Sequence, residues 1–471
     1  GHEPHHQPHP EGHERIDRPV EPAARPAPGL ARRGDGIIPR NSRGRGQMKR
    51  VASWLGGVHY AWVILAVTFV AIFVGSGLRG SFGVFLKPLE AEFGWDRAAL
   101  SGVAAVSLLL YGAAQPVLGR LVDAYGPRLV MAVSLVLLGL AALGTAFVQE
   151  LWQLYLTYGV ILSVAAGGPS TVTVSAVAAN WFVTRRALVI GIATSGISAG
   201  QTLLIPLAMW LIVTFGWRMG FVGLAATVCI VAAPLVWLLV RDDPTDLHLR
   251  PFGSGSPDAA PTAAAIATER ATSLGQALRS GPFWLLAGSY FICGYSSNGL
   301  IGTHMVPYAI EHGVGEIAAA SALGLMGAVN TLGAIAAGYA SDRFGRRNPL
   351  ALTYFLRGLA TLWLLTVQDA WSLHAFAVLF GLSYVATVPP TTALTADLFG
   401  RRSVAFLFGW IFLAHQVGAA AGSLLGGVLY EQTGGYGLAF FSSALACFAA
   451  AAMVLAIRGP ARIRPAIAPA T

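Results

Sequence analysis

Twelve apolar runs, each near the length a helix needs to cross a hydrocarbon layer, constrain this chain more than any other feature. They fall at 60–86, 98–118, 129–148, 151–179, 187–214 and 218–240, then at 282–310, 317–340, 349–367, 371–396, 403–430 and 436–457. About 20 apolar residues make one crossing. In lipid every backbone N–H and C=O must be satisfied inside the protein, so runs like these can only be helices. The expected fold class is an all-α membrane protein with twelve transmembrane helices in two groups of six.

Composition agrees. Of 471 residues, 55% are hydrophobic and 11% charged, with a mean hydropathy of +0.61. A soluble domain carries roughly 25% charged residues, so lipid must cover most of this surface. The net charge of +9 does not point to nucleic acid, because the basic residues sit in short clusters between apolar runs. Cys229, Cys293 and Cys447 each lie inside an apolar run without metal-ligand spacing and read as packing residues. No metal, cofactor or nucleic acid is expected, and a monomer is.

Residues 1–56 form an N-terminal tail, rich in Pro, Arg, Gly and His and without apolar periodicity over most of its length. His2, His5, His6, His9 and His13 belong to a solvated tail rather than a metal site. Met48-Lys49-Arg50 directly precedes the first run, so the tail is expected to be upstream sequence outside the native protein. The remaining expected boundaries are a first bundle at 57–240, a cytoplasmic linker at 241–281 rich in Pro, Ser and Thr, a second bundle at 282–457 and a C-terminal tail at 458–471.

Loop charge sets the orientation. With the first helix starting in the cytoplasm, short inner loops hold Arg120, Arg128, Arg185, Arg186, Arg343, Arg346, Arg347, Arg401 and Arg402. Short outer loops hold only Lys87, Arg97 and Arg218. The excess favours both termini inside a bacterial inner (plasma) membrane.

The second six runs repeat the first. Gly119-Arg-Leu-Val-Asp123-Ala-Tyr-Gly126-Pro-Arg128 follows the second run, and Gly338-Tyr-Ala-Ser-Asp342-Arg-Phe-Gly345-Arg-Arg347 follows the eighth, 219 residues later. Arg185-Arg186 opens the fifth run, and Arg401-Arg402 opens the eleventh, 216 residues later. Two motifs at nearly one offset mark a duplication. The glycines permit a tight turn and close helix approach. The Asp can cap a helix N-terminus and pair with an Arg, making Asp123, Arg128, Asp342, Arg346, Arg185 and Arg186 candidate gating residues.

The G-x-x-x-D-x-x-G-x-R loop, present twice, resembles the signature of the major facilitator superfamily over residues 57–457. The resemblance implies two pseudo-symmetric six-helix bundles around a central site. Ser81-Phe-Gly-Val-Phe-Leu-Lys-Pro-Leu-Glu-Ala-Glu-Phe93-Gly94 resembles the end of the first helix of monocarboxylate transporters. Trp181-Phe-Val-Thr-Arg-Arg-Ala-Leu-Val-Ile-Gly191-Ile-Ala-Thr-Ser-Gly196 is similar to their fifth-helix signature. That branch also includes oxalate–formate exchangers. Their first-helix lysine falls here on Gly80, beside Arg79, and their eighth-helix Asp and Arg fall on Asn330 and Ala334.

Ionisable groups inside a membrane are costly and are functional candidates by default. The twelve runs, short of their ends, contain no Asp or Glu but do contain Arg79, Arg357, His304 and His415. Such a cavity favours an anionic or neutral solute over a cation. Arg79 lies about 28 Å along the first helix at 1.5 Å per residue, where it either lines the cavity or snorkels to headgroups. Arg357, in the ninth run, reads as a structural pairing or a snorkel. His415, near mid-membrane, is a candidate for substrate binding and for a coupling proton, with His304 a second proton candidate. Asn298 and Asn330 supply neutral hydrogen bonds, to substrate or between helices. Gly167-Gly168-Pro169 and Pro389-Pro390 must disturb the fourth and tenth helices.

No nucleophile–base arrangement or phosphate loop is present, so an enzyme is not expected. Three functions remain open: a secondary transporter of a small organic anion, working by proton coupling or exchange; proton-driven efflux of hydrophobic solutes; and a solute-sensing receptor on a transporter fold. The fifth helix reads Gly196-Ile-Ser-Ala-Gly200-Gln201 and lacks the G-P-x-x-G-G-like run usual in proton-driven exporters, which favours the first.

Overall fold

The computed structural model describes residues 59–95, 97–254 and 272–458. The two tails, apart from residue 458, and residues 255–271 of the linker therefore lie outside the described residues. The helical rods are α1 (Ala61–Phe93), α2 (Arg97–Tyr125), α3 (Pro127–Thr145), α4 (Leu151–Trp181), α5 (Arg186–Phe215) and α6 (Trp217–Leu239). Then come α7 (281–311), α8 (Glu316–Phe344), α9 (Arg347–Leu364), α10 (Ala370–Phe399), α11 (Val404–Thr433) and α12 (Gly437–Ala456). Ten are long and apolar enough to cross a membrane. The other two are α7, diluted by Ser296, Ser297, Asn298 and His304, and α9, which carries Arg347 and Arg357.

The helices end where the sequence lets them. Gly126 and Gly345, the turn glycines of the doubled loop, have φ of 86° and 88°. Side chains disfavour that region and glycine does not. Helix α4 is interrupted at Gly167–Ser170 before resuming at Thr171, and α10 at Val385–Thr387 before resuming at Val388. Both breaks fall at the Gly-Pro and Pro-Pro sequences. One boundary differs from expectation. The first span does not stop at residue 86 but continues to Phe93, with Gly94 in the left-handed region as its cap. Polar residues ended the apolar window there, but Glu92 is held by Trp217 Nε1 and by an ion pair with Arg218, so the helix does not need to stop.

Packing repeats across the halves. In the first, α1 packs on α5, α2 and α3 on α4, and α3 on α6; in the second, α7 packs on α11, α8 and α9 on α10, and α9 on α12. The halves meet reciprocally, α5 on α8 and α2 on α11. Glycines set the closest approaches. Gly200 of α5 lies against the Phe73 carbonyl of α1, and Gly422 of α11 against the Tyr295 carbonyl of α7. Both members of the second pair sit 222 residues after those of the first. Where lipid is as apolar as the side chains, such close backbone packing is a main source of helix association. A Gly200→Val protein should therefore melt several degrees lower in detergent, from about 1–3 kcal/mol of overpacking. An unchanged melting temperature would count against that contact.

Part of the segment expected as a plain linker is docked. Phe252 N–H donates to the Trp181 carbonyl (2.8 Å) and Val183 N–H to the Phe252 carbonyl (2.9 Å). The Phe252 ring packs among Trp62, Phe182 and His59. Nearby, Asp242 accepts the Arg128 N–H (2.8 Å), and burial pushes its carboxyl above the ordinary aspartate value.

Candidate functional site

At the end bearing the doubled loops, each Asp reaches across to the other half. Asp123 accepts the N–H groups of Ala405 (3.3 Å) and Phe406 (2.8 Å) in the first turn of α11. Asp342 accepts those of Ala187 (3.2 Å) and Leu188 (2.8 Å) in the first turn of α5. A helix N-terminus carries unpaired donors and partial positive charge, so a carboxylate is its natural cap. Asp342 also pairs with Arg346, which reaches Asp397 at 3.2 Å, and Arg186 joins Asp397 at 3.9 Å. Arg185 is exposed, at φ 59°, immediately before α5. Arg128, another candidate gating residue, makes its contacts within its own half. Its guanidinium donates to the Trp237 carbonyl at the end of α6 and stacks on that indole, inside the first half.

From this end toward mid-helix the halves stay in backbone contact. Gly338 faces the Ala187 carbonyl and Gly191 the Ala334 carbonyl, while Gly119 faces Ala405 and Gly409 faces Gln115. Farther along α8, Gly327 and Gly324 lie on the same helical face as Gly338 at 3.6 residues per turn. Both face open space. The halves are thus closed at the loop end and parted at the other.

Between these levels lies a run of rings. The Arg79 guanidinium of α1 sits 4.2 Å over the Tyr111 ring of α2. Tyr111 meets Phe412 of α11 at 5.9 Å, Phe412 meets His415 at 5.7 Å, and His415 meets Tyr290 of α7 at 4.9 Å. Tyr158 of α4 donates to the Arg79 carbonyl (2.6 Å), fixing that turn of α1. His415 Nδ1 is 3.0 Å from Gln416 Oε1. Arg79 and His415, two of the substrate-binding expectations, are therefore the two ends of one inter-half structure. Arg79 is half-buried and His415 buried.

The other expected residues are placed differently. Asn330 is committed to holding helices: Nδ2 donates to Ser198 Oγ of α5 (2.7 Å), and Oδ1 accepts the Val385 N–H freed by the break in α10 (2.9 Å). Asn298 is exposed, with Oδ1 bonded by Tyr384 Oη (2.6 Å). His304 lies within the second half, its Nε2 2.9 Å from the Ser423 carbonyl and its ring against Tyr436. Arg357 is no snorkel, since it is completely buried. Its guanidinium donates to the Ser383 and Tyr384 carbonyls at the end of the first segment of α10 and to Cys293 Sγ.

Sequence reasoning passed over Tyr111, Phe412 and Tyr290. A signal existed: Phe408, Phe412 and His415 recur at helical spacing on α11, as Tyr111 and Gln115 do on α2. Aromatic stripes are so usual in membrane helices that spacing alone could not separate these from packing.

The comparisons agree with this architecture. The model of the Major Facilitator Superfamily matches residues 68–353 and 319–470. An uncharacterized MFS-type transporter, YcxA of Bacillus subtilis, is 27% identical over 394 residues, covering 80% of this chain and 90% of its own. Human monocarboxylate transporter 11 is 28% identical over 408 residues, covering 82% and 80%. Among solved structures, FucP in the outward conformation has a TM-score of 0.61 at 14% identity, covering 84% of this chain and 99% of its own. A double-tryptophan mutant of XylE has a TM-score of 0.66 at 15% identity, covering 84% and 95%. With paired six-helix halves, reciprocal aspartate caps and a family match along nearly the whole described length, this chain belongs to the major facilitator superfamily and is a multi-pass membrane transporter.

Proposed function

We propose that this transporter moves a small organic anion, a monocarboxylate or related carboxylate, by alternating access, coupled to protons or by exchange. The observation that carries the reading is Arg79. Its guanidinium sits on the ring of Tyr111, which meets Phe412 of the other half, and among the described residues no carboxylate occurs in any helix inward of its ends. A cation held in low-dielectric surroundings needs a counter-charge. A solute carboxylate supplies one and a cationic solute does not. The relatives named monocarboxylate transporters support the same class.

The loop end is the cytoplasmic end on this reading, from its arginine excess, and the protein stands closed to the cytoplasm and open outward in the bacterial inner membrane. Both termini are cytoplasmic and the working unit is a monomer. The test is uptake of a panel of radiolabelled monocarboxylates and dicarboxylates into proteoliposomes, with and without a pH gradient, beside a cationic dye. Anion uptake above protein-free vesicles is expected. Transport of the dye with none of the anions would overturn the substrate class.

A further inference from the structure

A second polar cluster is buried wholly within the second half. Arg357 has no solvent exposure and, among the described residues, no carboxylate partner. Its Nη1 lies 3.0 Å from Cys293 Sγ and 3.4 Å from Ser296 Oγ, and its other nitrogens meet Ser383 and Tyr384. Thr387 Oγ1 is also 3.0 Å from the same sulfur. Two polar groups thus converge on Sγ, the guanidinium as a donor. The first half has nothing of the kind, since the positions equivalent by the repeat, 222 and 219 residues earlier, are buried Ala71 and Leu138.

Neutral carbonyls solvate a guanidinium, but they do not cancel its charge, and an unpaired buried charge is among the costliest arrangements in a protein. The titratable groups facing Cys293 are Arg357 and Tyr354 from α9, Tyr384 from α10, His415 from α11, Cys447 from α12 and Tyr290 on α7 itself. None is a carboxylate. Tyr290 Oη is buried and has no hydrogen-bond partner among the described residues, and its ring lies against His415.

We propose that Cys293 is the counter-ion of Arg357, carried as a thiolate, and that this pair takes up the coupling proton of the transport cycle; the coupling half of the proposal rests on the anion-transport reading above. In the release step the Sγ–H bond breaks, the electron pair stays on sulfur, and the proton passes by way of His415 Nε2, the ring nitrogen not engaged by Gln416, to water in the inter-half space. The reverse transfer restores the thiol. With the thiolate present the pair is neutral. With Sγ protonated it carries one net positive charge, and an anion in the adjacent inter-half space is favoured. Proton and anion binding then strengthen each other by the same factor, as linkage requires.

The test starts from full-length protein with Cys229 and Cys447 replaced by Ser, leaving Cys293 alone. Its thiolate ultraviolet absorbance is compared with that of the additional Cys293→Ala variant. One thiolate per folded chain at neutral pH is expected, lost in Arg357→Gln and partly kept in Arg357→Lys. No thiolate in the folded Cys293-only protein overturns the pair, whatever the arginine variants do. In proteoliposomes, Cys293→Ala should lower pH-gradient-driven accumulation of radiolabelled carboxylates about tenfold or more relative to their exchange. Equal losses in both modes, or none, overturn the coupling role. Failure of every carboxylate with the unaltered protein refutes the transport reading and the coupling role with it, while leaving the thiolate result standing.

Discussion

Arg79→Gln is expected to cut anion uptake about 30-fold or more, the effect of losing roughly 2 kcal/mol of charge pairing in a desolvated site. The side chain that replaces it still fills much of the space and can still hydrogen-bond, so the loss isolates the charge. Arg79→Lys should keep part of the rate, because the positive charge remains while the planar fork that matches a carboxylate, and stacks on Tyr111, is gone. The fold should be indifferent to both changes. The guanidinium is half-buried and its contact is a ring face, whereas the tie from Tyr158 goes to the backbone of residue 79. Initial rates at matched reconstituted amounts, with melting temperatures as the control, make the measurement. Undiminished uptake of every tested anion by Arg79→Gln would remove Arg79 from the site.

The repeat was readable from the chain because it is written in residues with steric jobs. Gly126 and Gly345 turn the backbone at positive φ, and Asp123 and Asp342 meet helix N-termini. Substitution at any of these has a local penalty, so both copies keep the pattern. Helix ends were less readable. Polarity ended the first span at residue 86, but the helix runs to Phe93 because a tertiary ion pair with Arg218 supports its last turn. Among site residues, Arg79 and His415 stood out because a charge or imidazole in an apolar run has few neutral explanations. Asn330 stood out too, yet it ties α8 to α5 and α10, a role set by which helices lie beside it. Of the two readings of Arg357, a structural pairing or a snorkel, the structure shows the first. A ninth helix read in isolation offers a snorkel, and only the assembled half shows the broken end of α10 that receives its hydrogen bonds.

The aspartate caps should matter to the cycle more than to the fold. Each spans the two halves, and each satisfies two N–H groups that a rocking motion must release when the loop end opens. Removing a cap of this kind is worth about 1 kcal/mol, within a range of 0.5–2. The two caps sit on different helix pairs, and losses at separated sites add. Asp123→Ala with Asp342→Ala should therefore lower the population closed at the loop end about 30-fold for a combined ~2 kcal/mol. A transporter that must pass through that state slows in proportion, so uptake in the double variant is expected to fall at least about tenfold. Each single variant should show a smaller loss. Asparagine at either position keeps one acceptor oxygen for the helix N-terminus and should retain more activity than alanine. At position 342 it also forfeits the ion pair with Arg346, so Asp342→Asn should be the more damaging of the two. The core of each half is untouched by these changes, and thermal unfolding should move by only a few degrees. Normal uptake rates in both alanine variants and in their combination, at normal expression, would show that the caps fasten loops and do not gate transport.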